Sequence, residues 1–309
     1  MSQLPLRPIE FRGHTLQTFA AGDPAADTDD LPPIIFLHGF FVSLRFVPHA
    51  VPLAVRDSRR WHAVSLPCHP PAAAPLRFAK GDISPDWLAD MVAHVAETLS
   101  PSRPPVLVGH SAGGFAVLNA AARDPAQYAA VAAVNGFING GLTLMERALQ
   151  LLARAGPAGR LGFALSLKAG VINADLHERM SAGLAGDGES LRDNARLRRA
   201  IDAYLPDLQD LSPEQLDALR IFTSMMPDLE CQADLRGLSQ LPVLLINGAE
   251  DPIVPADHAR EMAARLPSAQ AELLEGIGHL PMFEDAAAYE RLLHTFLANE
   301  QAPAPGAGA

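Results

Sequence analysis

One serine of this 309-residue chain stands between an apolar run and a helical pattern, with glycines on both sides. The segment 106–114 reads VLVGHSAGG, so Ser111 lies within Gly109-x-Ser111-x-Gly113. Small residues at these two positions let a strand and a helix approach closely, and the sharp turn between them exposes the hydroxyl. The positive end of the following helix favours developing negative charge. The spacing indicates a nucleophilic serine; the alternative interpretation is an ordinary glycine-rich turn.

A serine nucleophile needs a general base, which is itself oriented by a third group. An acid follows the apolar run 243–246, where Asp251 is favoured over Glu250 because Pro252 should fix the direction of the side chain. A glycine-flanked loop further on contains His279. The order serine, aspartate, histidine therefore predicts Ser111 as nucleophile, His279 as base and Asp251 as the group that orients it.

A tetrahedral oxyanion also needs hydrogen-bond donors, which are expected after the nucleophile and after an earlier strand. Ala112 supplies the first backbone N–H, and Phe40, in the run IIFLHGFF at 34–41, supplies the second. The His-Gly pair before Phe40 could instead be an ordinary strand-exit turn. His38 and His110 flank glycine turns near the predicted site, and we expect each to have a structural hydrogen-bonding role.

The walls of the substrate pocket are predicted from apolar side chains near these motifs. The predicted lining is Phe41, His110, Phe222, Met225 and Met226. Ordinary packing of a helical segment against the core explains Phe222 and the two methionines equally well. Arg45 is a candidate for binding an anionic group of a substrate; the alternative is that it is an ordinary charged residue on the surface.

These residues are positioned by a series of short apolar runs that alternate with helical patterns. The candidate strands are 34–37, 61–66, 106–108, 129–134, 243–246 and 271–274. Unbroken apolar runs of this length are typical of strands buried on both faces of a parallel sheet. Segments 9–11 and 15–17 predict a hairpin at an antiparallel edge, and Ser84 before Pro85 and Asp86 predicts a helix start. The pattern favours a wound α/β sheet.

Helical patterns without a convincing strand fill the stretch 136–240. We interpret it as a helical cap inserted between core strands, over the strand ends where such sheets bind ligands; an unrelated helical decoration is the alternative. The predicted divisions are a core at 1–135 and 241–300, the cap at 136–240 and a disordered tail at 301–309. The turn-rich stretch 22–33 reads as a surface loop.

Composition excludes several classes of protein. With 35 acidic and 24 basic residues, the net charge is −11, which disfavours nucleic acid as a partner. Hydrophobic residues make up 49% of the chain, which excludes disorder throughout. Cys68 and Cys231 form no disulfide framework, and no metal or cofactor motif is apparent. Without a signal peptide or a long apolar run, the chain is expected to be cytoplasmic, without membrane insertion, and compatible with a homodimer.

Four motifs in this order resemble the α/β-hydrolase superfamily, in its serine branch with a helical cap. They are His38-Gly39-Phe40, the turn at 109–114, the segment 248–255 and Gly278-His279. The resemblance implies an eight-stranded, mostly parallel sheet, a Ser111–His279–Asp251 triad and an acyl-enzyme mechanism without a cofactor. Serine as nucleophile argues against haloalkane dehalogenases and most epoxide hydrolases of this fold. The chain departs from its relatives at 66–71, where LPCHPP replaces a Gly-His-Gly turn and alters the local pocket wall.

These observations predict a serine hydrolase for a small, largely apolar acyl compound: a carboxylic ester, lactone or thioester. The same residues are compatible with hydrolysis of a C–C bond in a diketone-type substrate. A ligand-binding protein that keeps the fold without catalysis is the alternative from another class.

Overall fold

The computed structural model describes residues 5–22, 31–56, 59–75, 77–140, 143–231 and 235–299. The predicted tail at 301–309 and most of the predicted loop at 22–33 lie outside these ranges.

The described strands form one mixed sheet. They are β1 (Arg7–Phe11), β2 (His14–Ala21), β3 (Ile34–Leu37), β4 (Trp61–Val64), β5 (Val106–His110), β6 (Ala130–Val134), β7 (Val243–Gly248) and β8 (Gln270–Leu274). The order across the eight-stranded sheet is β1-β2-β4-β3-β5-β6-β7-β8. β2 pairs antiparallel with β1 and β4, and every later pair is parallel. The predicted hairpin and the mostly parallel sheet are confirmed.

The central strands are buried along their whole length because their sequences are uninterrupted apolar runs. Their register aligns Leu37 with Gly109, His110 with Val134, and Val134 with Ile246. The strands therefore end at a common edge, and the residues that follow them are brought together although they lie far apart in the chain.

Helices cover both faces of this sheet, as the alternating pattern predicts. They are α1 (Val47–Ala50), α2 (Leu53–Arg56), α3 (Pro85–Leu99), α4 (Ala112–Arg123), α5 (Leu144–Arg154), α6 (Gly156–Gly170), α7 (Ala174–Ala182), α8 (Ala195–Gln209), α9 (Pro213–Met225), α10 (Ala256–Arg265), α11 (Pro281–Glu284) and α12 (Ala286–Asn299). At the predicted start of α3, the Ser84 hydroxyl accepts the Trp87 N–H at 3.1 Å. None of the helices in the described part of the chain has the length and apolar character needed to cross a membrane.

Helices α5 to α9 lie between β6 and β7, and we call residues 143–231 the helical insertion. The chain just before the insertion lies beside the end of the insertion. The Gly140 N–H donates to the Leu229 carbonyl at 2.7 Å, and the Cys231 N–H donates to the Ile138 carbonyl at 2.8 Å. Ser43, in the loop after β3, donates its hydroxyl to Asp207 of α8 at 2.7 Å. The insertion thus contacts a loop at the common strand edge; its predicted division as a cap domain stays a prediction.

Candidate active site

Ser111 occupies the turn between β5 and α4 in a strained backbone conformation, with φ 52° and ψ −116°. A non-glycine residue in such a conformation costs about 1–3 kcal/mol and persists only when its surroundings enforce it. Here the Ser111 N–H donates to the Val134 carbonyl at 2.9 Å, and its carbonyl accepts the Phe115 N–H at 3.0 Å. Ser111 as a whole residue is 5% exposed. The turn therefore holds the serine at the end of a central strand, against the N-terminus of a helix.

The glycines around Ser111 are required by backbone contacts. A Cβ at Gly109 would lie 2.2 Å from the Gly113 carbonyl oxygen, and one at Gly113 would lie 2.5 Å from the carbonyl oxygens of Leu37 and His38. No side chain fits at either position, so β5, α4 and the exit of β3 pack backbone against backbone. This is the close approach that the glycine spacing predicts.

Asp251 and His279 meet in a buried hydrogen bond. The His279 Nδ1 lies 2.7 Å from Asp251 Oδ2, and the two side chains are 8% and 1% exposed. Because an ionised carboxylate can only accept, Nδ1 donates and the Nε2 of a neutral ring is left with its lone pair. The carboxylate thereby selects the tautomer that can take a proton at Nε2.

The environment of Asp251 keeps it ionised. Burial opposes the charge, but the attraction of His279 and the hydrogen bonds from His279, Asn135 and Ile253 outweigh it, so the pKa of Asp251 lies below its ordinary value. Oδ1 accepts the backbone N–H of Ile253 at 2.7 Å and that of Val254 at 3.0 Å. The adjacent Glu250 is exposed, and its N–H donates to the Ile277 carbonyl.

Asn135, the first residue after β6, is a buried partner of Asp251. Its Nδ2 donates to Asp251 Oδ2 and, at 3.0 Å, to the Gly278 carbonyl. The reverse orientation of the Asn135 amide would place its Oδ1 against two oxygen atoms that can only accept. The nitrogen is therefore assigned to the side that faces Asp251 and Gly278. Asn135 has φ 46° and is fully buried. It therefore joins the acid to the residue that precedes His279.

His110 lies beside His279, and their ring centroids are 4.9 Å apart. Its Nε2 donates to the His279 carbonyl at 3.0 Å, which ties the residue before Ser111 to the histidine. Burial lowers the pKa of His110 to about 3. His110 thus has a structural hydrogen bond at this site, as expected.

His38 has the second structural role that we expected. Its Nδ1 donates to the Gly39 carbonyl at 2.7 Å, and its Nε2 accepts the Leu66 N–H at 3.1 Å. Burial, with a smaller contribution from His69, lowers the pKa of His38 to about 3. The neutral ring therefore connects the loop after β3 to the loop after β4.

The two predicted oxyanion donors lie on segments that pack against each other. Ala112 is in the first turn of α4, where backbone N–H groups have no acceptor within the helix. Phe40 follows Gly39, at which a Cβ would lie 3.1 Å from the Ser111 Cβ and 2.8 Å from the His110 Nδ1. The backbone before Phe40 is therefore in direct contact with the Ser111 turn.

Three rings from separate segments form a cluster beside this loop: Phe40, His69 and Phe222, which we call the aromatic cluster. The Phe40 and Phe222 rings stack at 6.0 Å and 7°, and His69 meets them edge-on at 5.2 and 5.3 Å. Burial lowers the pKa of His69 to about 4, so the ring is uncharged near neutral pH. His69, in the turn at 66–71, thus packs against both the loop after β3 and α9.

Other residues predicted to line the pocket have these positions. Phe41 is half-buried with φ 66°, and its ring lies 5.8 Å from that of Phe40. Met225 and Met226 are buried, and the Met225 sulfur accepts the Gly81 N–H at 3.3 Å. Their contact with substrate stays a prediction. Arg45 instead pairs with Asp207 at 3.1 Å, which joins the loop after β3 to the helical insertion.

The described residues hold no group of three or more histidine, cysteine, aspartate or glutamate side chains that could bind a metal ion. Burial raises the pKa of the Cys68 thiol to about 12, so this cysteine is not an activated thiolate.

Asn135 and Glu284 were not identified as site residues from the sequence. Asn135 interrupts an apolar run at a strand exit, which is the same kind of position that draws attention to Asp251. Glu284 accepts the backbone N–H groups of Gly278 and Leu280, on either side of His279. Only the position of Asn135 gives a local signal, because the contacts of Glu284 depend on how a loop folds back.

Comparison with known proteins gives a consistent result. The model of the alpha/beta hydrolase family matches residues 34–292. A pimeloyl-(acyl-carrier protein) methyl ester esterase of Xanthomonas campestris pv. campestris (strain B100) is 29% identical over 284 residues, which cover 86% of this chain and 95% of that protein. The dihydrolipoyllysine-residue acetyltransferase component of the acetoin cleaving system of Pseudomonas putida is 26% identical over 296 residues, 93% of this chain and 68% of that protein. A thermophilic esterase from Thermogutta terrifontis has a similar structure, with a TM-score of 0.69, 19% identity, and coverage of 96% and 100% of the two chains.

Proposed function

We propose, since the chain belongs to the alpha/beta hydrolase family, that it is a serine hydrolase that cleaves a carboxylic ester, lactone or thioester of a largely apolar acyl compound. The reaction would use Ser111, His279 and Asp251 and pass through an acyl-enzyme. The similarity to a methyl ester esterase over nearly the whole of that relative supports carboxylic esters as the substrate class.

Acylation begins when the Ser111 Oγ attacks the carbonyl carbon and the His279 Nε2 takes the hydroxyl proton. Asp251 stabilises the resulting imidazolium through its bond to Nδ1. As the tetrahedral intermediate collapses, the bond to the leaving group breaks, and His279 returns the proton to the departing alcohol or thiol. The acyl group is then esterified to Ser111.

Deacylation repeats these steps with water as the nucleophile. His279 takes a proton from the water, whose oxygen attacks the acyl carbon, and then returns that proton to the Ser111 Oγ as the ester bond breaks. The free acid leaves and the enzyme is restored, so the cycle consumes one water and needs no redox partner.

The backbone N–H groups of Phe40 and Ala112 are proposed to bind the oxyanion in both steps. A donor of this kind contributes about 10²–10³-fold to kcat in well-studied hydrolases. The aromatic cluster is proposed to face the acyl or leaving group, because stacked rings offer an apolar surface with little conformational entropy to lose. The helical insertion, which supplies Phe222, would then act as a cap over the site.

One observation carries the proposal: the buried 2.7 Å bond between His279 and Asp251, next to a strained serine turn. An aspartate–histidine pair alone could be structural, and a strained serine alone could be a packing feature. Their joint presence at one edge of the sheet, with His110 contacting His279, favours catalysis.

Replacement of the nucleophile tests the proposal. Ser111→Ala should lower turnover of p-nitrophenyl acetate by about 10⁴-fold or more, because the residual catalysis then comes from binding and oxyanion stabilisation alone. A fluorophosphonate probe should label the wild-type protein at Ser111 and leave the variant unlabelled. Ser102→Ala, at an exposed loop serine, is the control and should keep both properties.

Retained ester turnover in a folded Ser111→Ala variant would refute the assignment. A β-diketone assayed beside the ester separates the C–C bond alternative, which predicts faster turnover of the diketone. The cytoplasmic location and the homodimer predicted from the sequence stay predictions.

A further inference from the structure

A single carboxylate holds the backbone on both sides of His279. Glu284, at the end of α11, accepts the Gly278 N–H through Oε2 at 2.8 Å and the Leu280 N–H through Oε1 at 2.9 Å. We call residues 276–280 the histidine loop. Its two amides flanking the histidine thus point at one side chain, which restricts rotation of the peptide planes next to His279.

The helical insertion supplies the remaining contacts of this loop. The His279 N–H donates to the Leu184 carbonyl at 2.8 Å. The Gly186 N–H donates to Glu284 Oε2 at 2.9 Å, so the same carboxylate binds the insertion and the histidine loop. Three successive amides of the loop are therefore held either by Glu284 or by the insertion.

The two segments also pack without side chains between them. A Cβ at Gly278 would lie 2.2 Å from the Leu184 carbonyl oxygen, and one at Gly186 would lie 2.5 Å from that of Gly276. Two backbones in direct contact move together, because no flexible side chain lies between them to absorb a displacement. A shift of residues 184–186 would therefore move the backbone of His279.

Other contacts fix the insertion to the same part of the core without touching the histidine loop. The Asn194 Nδ2 donates to the Phe283 carbonyl at 3.0 Å, and Arg196 pairs with Glu290 of α12 at 2.5 Å. A variant at one of these contacts would weaken the attachment of the insertion and leave the hydrogen bonds of the histidine loop in place. Such a variant therefore distinguishes general attachment of the insertion from placement of His279.

We propose that Glu284 is a positioning residue that sets the place of His279, and that the insertion segment 184–186 forms part of this support. The inference rests on the proposed function, because it gives His279 the role of the base. A carboxylate suits the task, since its two oxygens accept three N–H groups in charge-assisted hydrogen bonds. A glutamine has one acceptor oxygen, and its NH₂ group would face backbone donors.

The test compares Glu284→Gln with Glu290→Gln in the full chain. Displacement of a reacting group by about 1 Å costs on the order of 10²-fold in rate. We expect kcat for p-nitrophenyl acetate to fall about 10- to 100-fold in Glu284→Gln, with KM within about threefold of wild type, because substrate binding is retained. Glu290→Gln removes a charge on α12 and should keep the wild-type kcat.

A second readout follows the histidine directly. The proton NMR signal of the His279 Nδ1–H, bonded to Asp251, should shift or broaden in Glu284→Gln and stay unchanged in Glu290→Gln. A merely structural contribution of Glu284 to stability would leave this signal in place below the melting transition.

The following results would overturn the inference about Glu284. Wild-type kcat and an unchanged NMR signal in Glu284→Gln overturn the inference, and so do equal losses in the two variants. If Glu284→Gln does not fold, Gly186→Ala takes its place: its Cβ would press on the Gly276 carbonyl, and the same loss of kcat is expected, whereas wild-type kcat overturns the inference. Failure of the fluorophosphonate to label wild-type Ser111 would instead refute the proposed function itself.

Discussion

At the scale of single residues, the ionisation of Asp251 depends on the groups that surround its carboxylate. Asp251 is ionised because hydrogen bonds and the attraction of His279 outweigh the cost of its burial. Asn135 contributes one of those bonds and reaches Gly278 as well. Its left-handed φ of 46° suits asparagine or glycine far better than other residues.

Removal of the Asn135 side chain should therefore cost stability and rate. Asn135→Gly keeps the permitted backbone and loses a hydrogen bond to a buried carboxylate, for which we expect about 1.5–3 kcal/mol less free energy of unfolding. Asn135→Ala should lose about 1 kcal/mol more, because alanine tolerates this φ poorly. Urea denaturation at pH 7, with kcat measured in parallel, checks both values. An Asn135→Gly variant as stable and active as wild type would show that Asp251 needs no such partner.

At the scale of elements, residues with a strained backbone lie just after four neighbouring strands of the sheet. Phe41, Cys68, Ser111 and Asn135 follow β3, β4, β5 and β6, and each has a positive φ between 46° and 67°. Such conformations persist where the surrounding structure enforces them, and they often mark functional sites. Cys68 has a φ of 67° within the turn at 66–71, so this turn too contains a residue in the left-handed region.

Close packing at the Ser111 turn is open to a direct test. Gly113→Ala would place a Cβ 2.5 Å from the Leu37 and His38 carbonyl oxygens, both of which are backbone atoms that cannot rotate away. We expect a loss of about 1–3 kcal/mol in stability, as for other overpacked sites, and a lower kcat because the loop that contains Phe40 must shift.

Gly162→Ala is the matched control for that substitution. Gly162 lies inside α6, and a Cβ there would meet only the end of the Leu152 side chain at 3.3 Å. Alanine should leave activity unchanged and stabilise the helix by up to about 1 kcal/mol. Thermal denaturation and ester turnover of both variants decide the point; equal melting temperatures would contradict the packing argument.

At the scale of the whole molecule, several neutral histidines are buried around the common strand edge. Burial lowers the pKa to about 3 for His38 and His110 and to about 4 for His69. Unfolding restores ordinary values near 6.5. Below that pH the unfolded chain binds more protons than the folded one, so stability is complete above about 6.5 and is lost as the pH falls toward the folded values.

Each such histidine should remove about 1.4 kcal/mol of stability per pH unit below 6.5. Urea denaturation at pH 7.5, 6.0 and 5.0 measures the slope. His69→Asn keeps a donor for the Pro67 carbonyl, which His69 Nδ1 contacts at 2.9 Å, and should lower the slope by about one proton. The exposed His294→Gln is the control. A slope unchanged in His69→Asn would mean that His69 is protonated in the folded protein.

Local sequence was sufficient to predict much of this protein. The strand–serine–helix turn, the hairpin, the start of α3 and the mostly parallel sheet depend on residues close together in the chain, where apolar runs and glycine spacing act through short-range sterics. The pairing of Asp251 with His279 was also predictable, because both follow parallel strands and such strands end at one edge.

Contacts that cross between distant segments could not be predicted from the sequence. Glu284 and Gly186 are 98 positions apart, and Ser43 and Asp207 are 164 apart. Neither pair has a periodic signal, since each arises from the docking of a helical segment onto loops, and docking depends on the summed shape and polarity of whole surfaces. The candidate reactive residues could be recognised from their types and their places after apolar runs, because those are local features of the chain. The contacts that hold the backbone of His279 arise instead from α11 folding back on the histidine loop and from docking of the insertion.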